Sequence, residues 1–122
     1  MKARILVVDD SGLARRRART ILEGAGFEVL EAEDGIAALE SYFVAKPDLV
    51  LLDLVMKGMY GLDVLSKLRE LDPDAKVIVV SADVQTSSHD LVAVAGASGF
   101  VVKPFEADEI VAKVTSTLNE AH

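Results

Sequence analysis

Asp48-Leu49-Val50-Leu51-Leu52-Asp53 decides how this chain is read. Four consecutive apolar residues, Leu49 to Leu52, lie between Pro47-Asp48 and a second carboxylate. A short unbroken apolar run after a proline predicts a strand buried on both faces. Asp53 closes that strand. A buried, unpaired carboxylate is costly, so Asp53 must emerge into a polar site or meet a cation. The same arrangement recurs: Ile5–Val8 runs into Asp9 and Asp10, Val77–Val80 into Ser81, and Phe100–Val102 into Lys103. If the four strands are parallel, all four chemistry-bearing ends share one edge of one sheet, with Asp53 as the reactive group.

Working outward, strands are predicted over 3–8, 27–32, 48–53, 76–81 and 99–102. Helices are predicted over 12–25, 34–45, 62–71, 86–96 and 106–119. Ala14, Ala18, Ile21, Leu22 and Ala25 recur at helical spacing and mark a buried face on the first helix. Ser11 is its expected N-cap, as Asp34 is for the second helix. Ile36, Leu39 and Phe43 are read as the inward face of that second helix, and Leu62, Leu65, Leu68 and Leu71 as that of the third. The fourth helix has the weakest pattern, because Ser87, Ser88 and Gly96 are poor helix formers. The fifth places Ala107, Ile110, Val111, Val114 and Leu118 on one side. Arg15, Arg16, Arg17 and Arg19 read as a solvated basic face.

Strands alternating with helices demand a parallel sheet with right-handed crossovers and helices on both faces. For a doubly wound α/β chain of this size the expected strand order is flavodoxin-like, 2-1-3-4-5. Ligands would then bind between strands one and three, beyond their carboxyl ends. Asp9, Asp10 and Asp53 end those two strands.

The 122 residues suit one domain with one core, here residues 1–122, with no second unit expected. A hydrophobic fraction of 51% excludes a disordered chain. The net charge of −7 argues against direct nucleic-acid binding, which needs a basic face. There is no cysteine, so neither disulfides nor thiolate metal sites are available. The apolar run before Asp9 is too short for a signal peptide, and no run reaches membrane-spanning length. The expectation is a cytoplasmic protein that does not enter the membrane.

Two unit charges about 4 Å apart repel by roughly 4 kcal/mol at an effective dielectric near 20. Three crowded carboxylates would therefore raise one another's pKa or recruit a cation, and an open all-oxygen site of few ligands suits Mg²⁺. Read singly, Asp9, Asp10 and Asp53 are ordinary caps, Ser81 a loop cap and Lys103 an exposed strand end. Read together they suit a phosphoryl group: lysine supplies a point charge, the hydroxyl a hydrogen bond and Mg²⁺ the remaining neutralisation. A carboxylate nucleophile would form an acyl phosphate.

Ile5-Leu-Val-Val-Asp-Asp10, Leu51-Leu-Asp53, Ser81-Ala82 and Gly99-Phe-Val-Val-Lys-Pro-Phe105, in that order and spacing, resemble the receiver domain of two-component response regulators, in its stand-alone, CheY-like form. The resemblance spans the whole chain. It implies that Asp53 accepts phosphate from a sensor histidine kinase or a phosphotransfer protein. It implies that Asp10 and Asp53 bind Mg²⁺ with the Val55 carbonyl, while Asp9 helps through water. Lys103 would contact the phosphoryl group, Ser81 would turn toward it, and Phe100 would be the rotating switch aromatic. Lys103–Pro104 would be a cis peptide. Phosphorylation would alter affinity for a downstream protein on the face of the fourth helix, fifth strand and fifth helix. The chain would be a monomer or weak dimer, a signalling protein that catalyses only its own phosphorylation and dephosphorylation.

Three positions depart from the family's usual pattern. Lys57 follows Met56 where proline is common, and Tyr60 precedes Gly61 where Asp or Asn is common. Val55 stands two residues past the acceptor, where polar residues are also common. The first two bear on the loop and partner docking, the third on the hydrolysis rate. A Mg²⁺-dependent acid phosphatase of the haloacid dehalogenase type is the enzyme alternative, but it needs a second Asp where Val55 stands. A flavodoxin needs a hydroxyl- and glycine-rich phosphate loop where Asp9-Asp10 stand.

Overall fold

The computed structural model describes residues 2–54, 61–82 and 96–120. Five strands, β1 (Arg4–Val8), β2 (Glu28–Ala32), β3 (Leu49–Asp53), β4 (Val77–Ser81) and β5 (Gly99–Val102), form one parallel sheet in the order β2-β1-β3-β4-β5. That is the expected doubly wound order. Four helices are described: α1 (Gly12–Gly24), α2 (Gly35–Ala45), α3 (Gly61–Leu71) and α4 (Ala107–Leu118), the last being the predicted fifth helix. The helix expected over 86–96 falls on residues outside the described ones, except Gly96, which lies in a turn with φ of 97°.

The pleat of the sheet divides the core in two. Leu6, Val8, Val50, Leu52, Val77 and Val79 point to the side covered by α2 and α3. Ile5, Val7, Leu49, Leu51, Ile78 and Val80 point to the side covered by α1 and α4, where Ala18, Leu22, Ile110 and Val114 meet them. Because side chains alternate along a strand, Asp9 continues the Ile5–Val7 row and Asp53 the Leu49–Leu51 row. Both therefore follow the α1/α4 side. Ser81 follows Val77 and Val79 on the other side.

The local signals for α1 and α2 are realised. Ser11 Oγ accepts from the Ala14 N–H at 3.2 Å, and Asp34 Oδ1 from the Ala37 N–H at 2.8 Å. Ala25 is not part of the buried face of α1; it is the exposed C-cap residue. The inward face of α2 also differs from expectation. Gly35, Ala38 and Tyr42 are buried and Leu39 partly so, whereas Ile36 is 63% and Phe43 50% exposed. Apolar side chains surround α2, so periodicity does not single out one face. Small residues allow a close approach to the sheet, and Tyr42 is selected because its hydroxyl reaches a partner: it donates to Asp72 Oδ2 at 2.6 Å. On α3, Val64, Leu65 and Leu68 are buried while Leu71 turns to solvent. On α4, Ala107 is exposed and Thr117 is buried instead.

Burial, and then the hydrogen bond to the Asp72 carboxylate, push the Tyr42 phenol above its ordinary range. The folded state thus favours the neutral phenol. Its contribution to stability is complete below the unfolded value near 10.0 and is lost as pH rises toward the folded one. Replacing Tyr42 with Phe is expected to cost about 1 kcal/mol at neutral pH and to remove this part of the alkaline loss, read by urea unfolding of both proteins at pH 8 and above pH 10.

Candidate functional site

The parallel register brings the predicted residues to one edge. Val8 lies opposite Leu52 and Asp53 opposite Val80, so Asp9 and Asp53 leave neighbouring strands at the same level. Ser81 lies opposite Val102, the last residue of β5, which puts Lys103 directly past that strand's end. Asp9, Asp10 and Asp53 each offer a carboxylate oxygen within 4.8 Å of the others. Asp9 is buried, Asp53 half-buried and Asp10 exposed.

Lys103 supplies positive charge to this cluster. Its Nζ is 3.0 Å from Asp9 Oδ2 and 3.7 Å from Asp53 Oδ2. The closer contact is with Asp9. That side chain is also held by the backbone of the next turn, Oδ1 accepting from the Ser11 N–H at 2.9 Å. The Lys103–Pro104 peptide is cis. Beside the acids lies a cavity of about 390 Å³, lined by Asp9, Asp53 and Lys103 together with Val7, Leu51 and Phe105. Three carboxylates converging with one exposed member match a hard divalent ion that keeps part of its water shell.

Ser81 is buried at the end of β4. Phe100 is partly buried and packs against the core under α2 and α3. Its neighbour across the sheet is Val79, two residues before Ser81, so both follow the same face. Val55, Met56, Lys57 and Tyr60 lie outside the described residues, as does most of the predicted fourth helix.

Several residues around the site escaped the sequence reading. Gly61 donates its N–H to the Leu54 carbonyl at 2.8 Å, directly after the acidic strand. A Cβ on Gly61 would come within 2.5 Å of the Asp53 carbonyl oxygen and 2.6 Å of Leu54 Cα. Glycine is required by this close approach. The arginines of α1 are not a uniform solvated face. Arg15 and Arg19 both pair with Glu31 on β2. Arg17 lies over the Phe105 ring, 4.8 Å from its centroid, and donates to the Phe105 carbonyl at 2.9 Å. A carboxylate on the second strand and arginines four apart on the preceding helix were the available signal.

A profile of the response regulator receiver domain matches residues 5–115. The chain belongs to the response regulator receiver family. This receiver is 42% identical over 120 residues to the chemotaxis protein CheY of Bacillus subtilis, covering 98% of this chain and all of that one. Among solved structures it is similar to a CheY-like receiver domain protein from Methanospirillum hungatei, with a TM-score of 0.93 at 28% identity, covering 98% of this chain and 95% of that one. It is also similar to the response regulator TrrA from Thermotoga maritima, solved in complex with Mg²⁺-BeF, at 41% identity and a TM-score of 0.87, covering 96% and 99% of the two chains. Among the described residues, no helix of the receiver is long and apolar enough to cross a membrane.

The approach of Gly61 to the acidic strand gives a direct expectation. Adding one methyl, Gly61→Ala, overpacks the Asp53–Leu54 backbone and should cost about 1–3 kcal/mol, measured by urea denaturation.

Proposed function

We propose that this receiver takes a phosphoryl group onto Asp53 from a histidine kinase or phosphotransfer protein and thereby changes its affinity for a downstream protein. The observation that carries the reading is the Lys103 ammonium set between Asp9 and Asp53, with three carboxylates converging on one pocket. A phosphoryl donor would bring negative charge to an already acidic edge, and catalysis of its transfer is largely positioning and charge neutralisation. An Asp53 carboxylate oxygen forms the new P–O bond as the P–N bond of a phosphohistidine breaks, and the departing imidazole takes up a proton. Lys103 then has an anionic oxygen to contact in place of part of its present pairing.

Asp10 and Asp53 would hold Mg²⁺, with the Val55 carbonyl completing the protein ligands and Asp9 acting through water. When bound, Mg²⁺ neutralises charge on the phosphoryl oxygens. The complex of TrrA with Mg²⁺-BeF supports extending this chemistry to the present chain. Val55 cannot orient an attacking water, which favours a long-lived acyl phosphate. Such a protein works in the cytoplasm as a monomer or weak dimer.

Ser81 and Phe100 follow the same sheet face, which supports their acting together as the switch. If Ser81 turns toward the phosphoryl group, a ring on the next strand gains room, and a partner that prefers the resulting surface shifts the population. The output surface would combine β5 and α4 with residues 86–96.

Acetyl phosphate with Mg²⁺ should add one phosphoryl group by intact mass. Asp53→Asn or a chelator should abolish it, and persistent labelling in either case would overturn the assignment. Steady turnover of a generic phosphate ester would instead indicate a phosphatase. For the switch, affinity for a partner captured with beryllofluoride should rise at least tenfold on activation in wild type. Phe100→Ala and Ser81→Ala should each lose most of that gain, and full gain in both would leave Phe100 as core alone.

A further inference from the structure

The strongest unexplained feature beside the acids is a partly buried contact on the main chain. Arg15 Nη1 donates to the Asp9 carbonyl oxygen at 2.6 Å. That carbonyl belongs to the peptide joining Asp9 to Asp10, so its direction governs where the Asp10 side chain leaves the backbone. The same guanidinium donates through Nε to Glu31 Oε1 at 3.0 Å. Glu31 is in turn held by Arg19, which also donates to the Val29 carbonyl at 2.7 Å. The arginine is thus fixed at both ends, with its side chain only 18% exposed. From the other direction, the Asp9 N–H donates to the Ala32 carbonyl at 3.2 Å. The Asp9–Asp10 turn is clamped between β2 and α1.

We propose that Arg15, braced by Glu31, is a positioning residue that sets the divalent-cation affinity of the Asp9–Asp10–Asp53 cluster by fixing the Asp9–Asp10 peptide. The inference rests on the reading that this cluster takes Mg²⁺. A planar guanidinium can serve the carbonyl and the carboxylate at once, which a lysine ammonium does less well. Groups that orient metal ligands from outside commonly change affinity 10- to 100-fold when removed.

The sign of the effect separates positioning from charge. Arg15 is a cation near three carboxylates, so its charge alone opposes Mg²⁺ binding. Removing it would then tighten binding; losing its positioning contact would weaken it. Calorimetric titration with MgCl₂ should show Arg15→Gln about tenfold weaker than wild type. Arg16→Gln removes the same charge from an exposed position on α1 and should be unchanged or slightly tighter. Tighter or unchanged binding in a folded Arg15→Gln protein would overturn the proposal. If that variant does not fold, Arg15→Lys decides: with its charge retained, a loss of threefold or more supports positioning, and wild-type affinity refutes it.

A metal-free readout separates this inference from the Mg²⁺ reading itself. The Ser11 N–H, which donates to Asp9 Oδ1, should exchange with solvent faster in Arg15→Lys than in wild type without any metal. Unchanged exchange would overturn the positioning role. Wild-type protein that takes no Mg²⁺ would refute the metal reading and the affinity claim, leaving the clamp on the turn to be judged by exchange alone.

Discussion

Three carboxylates at one sheet edge repel one another, and the fold meets that repulsion with an ammonium group delivered from the end of the outermost strand. Lys103 stands at the end of the outermost strand, β5, yet its Nζ lies within 4 Å of carboxylates from β1 and β3. Between them lies β4, and the residue just past its end, Ala82, is small. A bulky side chain at Ala82, which lines the same cavity as Asp53 and Lys103, would crowd the space the lysine shares with the acids. The charge arrangement therefore depends on the parallel register of four strands and on what β4 omits.

The opposite flank is tied down by a second ionic assembly. Glu31 gathers Arg15 and Arg19, fastening α1 to the edge strand β2. The pairs are only partly shielded from solvent, and ion pairs near a surface add little stability individually. Here the geometry gives them another use, since Arg15 also grips the main chain at Asp9. Arg17 performs a comparable task toward the loop after β5, resting on Phe105 and its carbonyl. One helix thereby touches the loops that carry both the acids and the lysine.

Strand positions were legible because apolar runs stop abruptly at polar residues, and a parallel topology lets only their carboxyl ends meet. Asp9, Asp10, Asp53, Ser81 and Lys103 could be nominated from that pattern before any contact was known. The helix faces were less legible. On α2 apolar side chains surround the axis, and the choice of Tyr42 over Phe43 rests on a hydrogen bond to Asp72, thirty residues away in sequence. The arginines of α1 were misread because their partner Glu31 becomes a neighbour only once β2 pairs with β1. Gly61 was noted only as the residue after Tyr60, and its close approach to the Asp53 carbonyl is invisible without backbone coordinates.

The separation of the site residues along the chain also has a consequence for how the protein is made. The Lys103–Asp9 contact joins residues 94 apart, and synthesis runs from the amino end, so Asp9 and Asp53 are made before Lys103. In a nascent chain whose β1 and β3 had already paired, the carboxylates would meet while their internal counter-ion was still unmade. Contacts this distant in sequence are slow to form, because chain entropy is spent before they contribute anything. During that interval cations from the surrounding solution are the available source of neutralisation. The last strand to be synthesised is thus the one that brings the acidic edge an ammonium group of its own.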